Sequence, residues 1–164
     1  MEVKFYHIKD KDLQEIKDIY NYYVLNTTVT FQIKPVDTGE LKNHILVDHP
    51  IYKSILTKSG NAICGYGHLY RYRSKEAYRK TAEIGIYLKP EYTGKGIGRQ
   101  IAAVLEKEAK DCGIKVLLAF ICGENSGSIN FFKTLNYEKC AHFKRVGEKF
   151  GRRLDVVAYQ KELL

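Results

Sequence analysis

From residue 81 to residue 122 the chain reads TAEIGIYLKPEYTGKGIGRQIAAVLEKEAKDCGIKVLLAFIC, and this one segment restricts the possible folds more than any other. Thr81–Leu88 alternates, with Ile84, Ile86 and Leu88 on one side of an extended chain and Glu83, Gly85 and Tyr87 on the other. Ile97, Ile101, Leu105, Ala109 and Cys112 then recur at helical spacing, and Gly113 supplies a stop. Val116–Cys122 is a continuous apolar run, which predicts a central strand covered on both faces. Strand, helix and strand in this order make a β-α-β crossover, whose strands run parallel.

The flanking sequence extends the pattern. Residues 3–8 predict a first strand, and Leu13, Ile16, Tyr20 and Tyr23 a helix with Asp10 or Asp12 placed to cap it. TVTFQI, residues 28–33, is β-branched and aromatic and reads as extended. A short helix follows from Thr38 through Leu41, Ile45 and Leu46. Residues 51–56 and 62–72 predict a hairpin around the turn 58–61. After the crossover, Asn125 and Ser126 open a short helix carrying Ile129, Phe132 and Leu135. Two strands, residues 137–146 and 154–160, close the chain around a turn at 147–151. The fold class is α/β with a mixed central sheet flanked by helices, and one domain over residues 1–164 is the simplest account.

The formal charge is +8, yet the basic residues are scattered, with short clusters such as those at 71–73 and 152–153 and no long basic run. That fits attraction of small anions better than nucleic acid, which is not expected as a partner. No apolar run reaches the length of a membrane span, and residues 1–12 are charged, so no membrane and a cytoplasmic location are expected. Cys64, Cys112, Cys122 and Cys140 lie far apart, and the five histidines show no ligand spacing; no metal is expected. Cys64 and Cys122 fall in apolar runs and read as buried free thiols.

The glycines of GKGIG, residues 94–98, stand between strand and helix. Glycine there lets a ligand approach the backbone, and the first N–H groups of a helix favour negative charge. Phosphate suits such a site, with Lys95 and Arg99 adding positive charge. The spacing is neither a Walker A loop nor a complete dinucleotide fingerprint. Glycines kept for tight strand-helix packing are the competing account.

EYTGKGIG, residues 91–98, resembles the pyrophosphate loop of the GCN5-related N-acetyltransferases, Q/R-x-x-G-x-G/A, with Glu91 in place of the first residue. NTTVTF (26–31), RSKEAYRKTAEIGIYLKP (73–90), ENSGSINFFKTLNY (124–137) and GRRLDVV (151–157) narrow the resemblance to the phosphinothricin N-acetyltransferase group. These blocks cover most of the chain in order. The resemblance implies a three-layer fold and acetyl-coenzyme A as cosubstrate. It implies a pyrophosphate held by Gly94, Lys95, Gly96, Ile97, Gly98 and Arg99, and a pantetheine arm paired with Ile86, Tyr87 and Leu88. Asn125 and Ser128 lie at further cofactor positions, although Asn125 equally fits a helix cap and Ser128 plain helix surface.

Acetyl transfer needs a base for the amine, donors for the oxyanion and a route out for the thiolate. The resemblance makes Glu83 the base, although a glutamate alternating with apolar residues also fits a solvated position. The oxyanion donor is expected to be a backbone N–H near Tyr87 or Leu88. Gly85 either permits a bend there or makes room for a neighbouring side chain. Phe31, Arg73 and Tyr78 match positions near the acceptor, with core packing and solvated charge as the competing accounts. Phe132 stands where many relatives place the tyrosine that protonates the thiolate, and phenylalanine has no proton to give.

The expected activity is transfer of acetyl to the primary amine of a small amino acid or analogue, of the phosphinothricin or methionine sulfone and sulfoximine type, by a homodimer. The alternatives are another amine (a polyamine, an aminoglycoside, a protein N-terminus) or a sensor that binds acetyl-coenzyme A without turnover.

Overall fold

The computed structural model describes all residues, 1–164. Seven strands form one mixed sheet: β1 (Lys4–His7), β2 (Ser54–Ser59), β3 (Ala62–Arg71), β4 (Thr81–Leu88), β5 (Val116–Cys122), β6 (Glu138–Lys149) and β7 (Arg152–Glu162). Their spatial order is β1-β2-β3-β4-β5-β7-β6. Every neighbouring pair is antiparallel except β4 and β5, the expected crossover pair. The helices are α1 (Leu13–Asn26), α2 (Thr38–Leu41), α3 (Ile97–Asp111) and α4 (Ser126–Thr134). No helix is long and apolar enough to cross a membrane.

The alternation of β4 divides the core. Ile84, Ile86 and Leu88 join Ile97, Ile101 and Leu105 of α3, Phe132 of α4 and Leu135 just after it on one face. Tyr87 packs on the other, with Ile16, Ile19 and Tyr20 of α1 and Leu41 just beyond. The result is three layers: α3 and α4, the sheet, then α1 and α2. Gly67 of β3 is where α3 comes closest, because a Cβ there would lie 2.5 Å from Ile101 Cγ2 and 2.8 Å from Leu105 Cδ1. Both neighbours are fully buried and have nowhere to go. Gly67→Ala is therefore expected to destabilise the fold by about 1–3 kcal/mol, seen as a fall in Tm of about 2–4 °C for each kcal/mol. A thermal scan matching the parent would remove this packing argument.

Several readings of the sequence need correction. Residues 28–33 form no strand; they lie in an irregular loop between α1 and α2. Their polar groups bond to distant partners instead of a ladder: Thr30 Oγ1 pairs with the Tyr20 hydroxyl at 2.8 Å, and the Thr30 carbonyl accepts from Lys149 Nζ at 2.8 Å. The helix at Thr38 stops at Leu41, although Ile45 still reaches the core. β2 starts at Ser54, not at 51, and the last two strands extend to a tight turn at Phe150 and Gly151. β5 is covered on both faces except at Phe120, which is 42% exposed between the buried Leu118 and Cys122 of the same face. Cys64 and Cys122 are buried free thiols, as expected. Asp12 precedes α1, but its carboxylate accepts from the Lys9 N–H and does not cap the helix.

Candidate active site

β4 and β5 stay paired only from Thr81–Val116 to Glu83–Leu118. Beyond Glu83 they diverge, while β4 stays bound to β3 as far as Leu88. The divergence opens a cleft of about 570 Å³. Ile86, Leu88 and the glycine loop line it on one side, and Asn125, Ser128 and Phe132 on the other.

Strand alternation says which backbone groups face the gap. The Lys89 N–H donates to the Cys64 carbonyl of β3 at 2.8 Å. Tyr87, two residues earlier, therefore also turns its N–H and C=O toward β3, and Ile86 and Leu88 turn theirs toward the gap. The Leu88 carbonyl accepts there from the Tyr23 hydroxyl. Of the two donors expected from the sequence, Leu88 faces the cleft and Tyr87 does not; Ile86 joins it. Tyr87 contributes its ring, which packs against Tyr20, Tyr23, Tyr66 and His68. Gly85 makes room for His68, since a Cβ there would stand 2.4 Å from His68 Cε1. That decides between its two sequence readings. Burial lowers the His68 pKa to about 4, so the ring is neutral at pH 7.

The three loop glycines do different things. Gly94 and Gly96 have φ of 72° and 80°, and an added Cβ at either would meet nothing within 4 Å. They are glycines for backbone conformation, and the space above them is open. Gly98 is packing: its Cβ would lie 3.3 Å from the Phe131 ring of α4. The first backbone bond of α3 runs from the Gln100 N–H to the Gly96 carbonyl at 3.4 Å. The N–H groups of Ile97, Gly98 and Arg99 therefore remain free for an anion. Lys95 Nζ sits 5.7 Å from the centre of the Tyr92 ring, and the Arg99 guanidinium donates to Thr134 Oγ1 at 3.0 Å.

At the closed end of the gap stands Glu83, on the α1 face of the sheet. Burial raises its carboxyl above the ordinary 4.5, and Arg73 pulls it partly back. Arg73 lies over the Tyr72 ring at 5.1 Å, and Tyr72 meets Tyr78 edge-on at 5.5 Å. Tyr72 also stacks on the exposed Phe120 at 6.3 Å, with the planes 5° apart. Arg73, Tyr78 and Glu83 thus belong to one neighbourhood. Phe31 does not join that aromatic group; its ring covers Gly147 of β6, where a Cβ would lie 2.7 Å from it. Tyr72 and Phe120 are the residues that the sequence reading missed. Their only signal was an aromatic within a strand-like apolar run and another beside Arg73.

Asn125 caps α4. Its Oδ1 accepts from the Ser128 N–H at 3.1 Å, and its Nδ2 donates to Ser128 Oγ at 2.9 Å. Glu124, next to it, takes both guanidinium nitrogens of Arg152 at 2.8 and 2.9 Å and the Thr28 hydroxyl at 2.7 Å. Those bonds lower its pKa to about 2. The residue blocks at 26–31, 124–137 and 151–157 meet at this junction.

A chain built this way can lay a long phosphate-bearing acyl donor along β4 and deprotonate what it meets at the closed end, which is the working plan of an N-acetyltransferase. Residues 16–137 match the Acetyltransferase (GNAT) family, and the chain belongs to that family. It is similar to the L-amino acid N-acyltransferase MnaT of Escherichia coli (strain K12), 30% identical over 99% of this chain and 94% of that protein. It is 32% identical to an L-methionine sulfoximine/L-methionine sulfone acetyltransferase of Salmonella typhimurium, over 93% of this chain and 90% of that one. A solved phosphinothricin acetyltransferase from Sinorhizobium meliloti, in complex with AcCoA, superposes with a TM-score of 0.93 at 30% identity, over 99% of this chain and 89% of that chain.

Proposed function

We propose that the protein transfers acetyl from acetyl-coenzyme A to the α-amine of a small amino acid or analogue of the phosphinothricin or methionine sulfone type. The observation that carries this reading is the gap between β4 and β5, with a glycine cradle at one end and half-buried Glu83 where the two strands part. The names of the three similar proteins support the acceptor class.

Acetyl-coenzyme A supplies an activated acyl group on a thiol. Gly94, Lys95, Gly96, Ile97, Gly98 and Arg99 hold its pyrophosphate, and the backbone of Ile86 and Leu88 directs the arm toward Glu83. Asn125 shapes the opposite wall. A gap-facing N–H of Ile86 or Leu88 stabilises the negative charge that develops on the acyl oxygen. Glu83 takes the proton from the amine, directly or through a water; its raised pKa suits it to that task. Arg73 holds the acceptor's carboxylate or phosphinate, and Tyr78, Tyr72 and Phe120 form an aromatic wall beside it. Phe31 acts at one remove, by setting the loop after α1 against the β6–β7 hairpin.

Buried free thiols at Cys64 and Cys122 fit a reducing cytoplasm. A homodimer belongs to the same reading: β6 is a 12-residue edge strand with Phe143 and Val146 exposed. A sedimentation mass of one chain at tens of micromolar would remove it.

The test is thiol release from acetyl-coenzyme A against phosphinothricin, methionine sulfone, common amino acids, spermidine and an aminoglycoside. Turnover is expected with α-amino acids and analogues, and to be weak with amines lacking an α-carboxylate. Preference for spermidine or the aminoglycoside would overturn the acceptor class. Binding of acetyl-coenzyme A without thiol release from any amine would replace the enzyme by a sensor.

A further inference from the structure

We propose that Ser128 is a catalytic residue of the transfer, donating its hydroxyl hydrogen bond to the sulfur as the thiolate of coenzyme A departs. The inference rests on the reading of the cleft as the acetyl-coenzyme A site.

Phe132 is locked as well as proton-free. It is 7% exposed and meets Phe131 and Tyr137 edge-on, each at 5.0 Å. The sulfur must find its donor elsewhere, and the hydroxyls lining the cleft can be taken in turn. Tyr23 donates to the Leu88 carbonyl. Thr93 donates to the Pro90 carbonyl at 2.8 Å. Tyr87 sends its ring into the aromatic group on the other face of the sheet. Ser128 alone accepts a bond, from Asn125 Nδ2, and leaves its own proton unspent. Accepting that bond also polarises the O–H and strengthens it as a donor.

Position agrees with this accounting. The phosphates belong at the start of α3, and the arm runs back along β4 toward Glu83. α4 meets the start of α3 through Phe131 and Thr134, late in its length, so its first turn, which carries Ser128 and lines the cleft, lies on the side away from the phosphates, where the arm passes toward its thiol. The positive end of that helix favours a thiolate over a thiol. In the step itself the amine nitrogen, its proton passed to Glu83, bonds to the acyl carbon. The carbon–sulfur bond breaks and sulfur keeps the electron pair under the Ser128 hydrogen bond. The free thiolate then takes a proton from water, and Glu83 returns its own to solvent.

The measurement is the acidity of the coenzyme A thiol while bound, followed through thiolate absorbance against pH in the parent, Ser128→Ala and Ser128→Thr. Ser128→Ala keeps the backbone N–H that Asn125 caps, so α4 is retained. A hydrogen bond to a charged partner predicts a bound thiol about tenfold or more acidic in the parent than in Ser128→Ala, with Ser128→Thr restored. The turnover number of Ser128→Ala should fall by a similar factor with KM for acetyl-coenzyme A nearly unchanged. Equal thiol titration in parent and Ser128→Ala overturns the role of Ser128 and leaves the cofactor site standing. A parent that binds no coenzyme A overturns the reading of the cleft, and this inference with it.

Discussion

Glu83→Gln lowers turnover by about 10²–10⁴-fold while acetyl-coenzyme A binds with nearly its original affinity. The glutamine keeps the shape of the carboxyl and cannot accept the amine's proton. Because burial raises the Glu83 pKa above 4.5, the parent's kcat/KM should fall as pH drops through that raised value, and the variant should lack this acid limb. Stability separates a catalytic loss from a folding loss. A carboxyl with a raised native pKa binds its proton more tightly in the folded chain than in the unfolded one. Its contribution to stability is therefore full below the unfolded value and lost as pH rises through the folded one. Glutamine, which cannot ionise, escapes that loss, so at pH 7 the Tm of Glu83→Gln is expected to equal or exceed the parent's. Full activity in the variant would remove Glu83 as the base. A Tm several degrees lower would assign its effect to folding.

Gly96→Val is expected to weaken acetyl-coenzyme A binding by at least about tenfold. Two causes add. A side chain at φ 80° is strained, by roughly 1–2 kcal/mol for an ordinary residue and more for a β-branched one. The space its methyl groups would fill is open in the protein, and is where a phosphate would approach the N–H groups of Ile97, Gly98 and Arg99. Gly96→Ala, with the strain and little of the bulk, should fall between parent and valine. Titration calorimetry gives the affinities, and far-UV circular dichroism checks that α3 still forms. Unchanged affinity in Gly96→Val would end the assignment of this loop to the pyrophosphate.

The readable part of the fold is local. In the segment from Thr81 to Cys122 the two-residue and helical periods are each imposed by a buried face, and each element occurs where its pattern does. TVTFQI has the composition of a strand and lacks a neighbour to pair with. Lys149, 119 residues away, takes its Thr30 carbonyl, and no local pattern records a bond at that distance. Phe120 shows the same limit from the other side. VLLAFIC is apolar throughout, and nothing in it marks Phe120 as the one residue left exposed between buried Leu118 and Cys122. The site divides in the same way. The glycine loop is legible because strand and helix fix it in sequence, whereas Glu83 stands out only through the family resemblance, its alternation alone fitting a solvated position. Tyr72 beside Phe120, and Glu124 between Arg152 and Thr28, exist only as contacts between distant segments.

The gap between β4 and β5 has different surroundings on the two faces of the sheet. The glycine loop, α3 and α4 lie on one; Glu83, Arg73, Tyr72 and Phe120 stand on the other. On the proposed reading, donor and acceptor approach from these two sides, so neither has to leave its doorway before the other enters. The acyl group would then pass from one molecule to the other while both are present. Initial rates at several fixed concentrations of each substrate should therefore give intersecting reciprocal lines, where a shuttling enzyme with one shared doorway would give parallel ones.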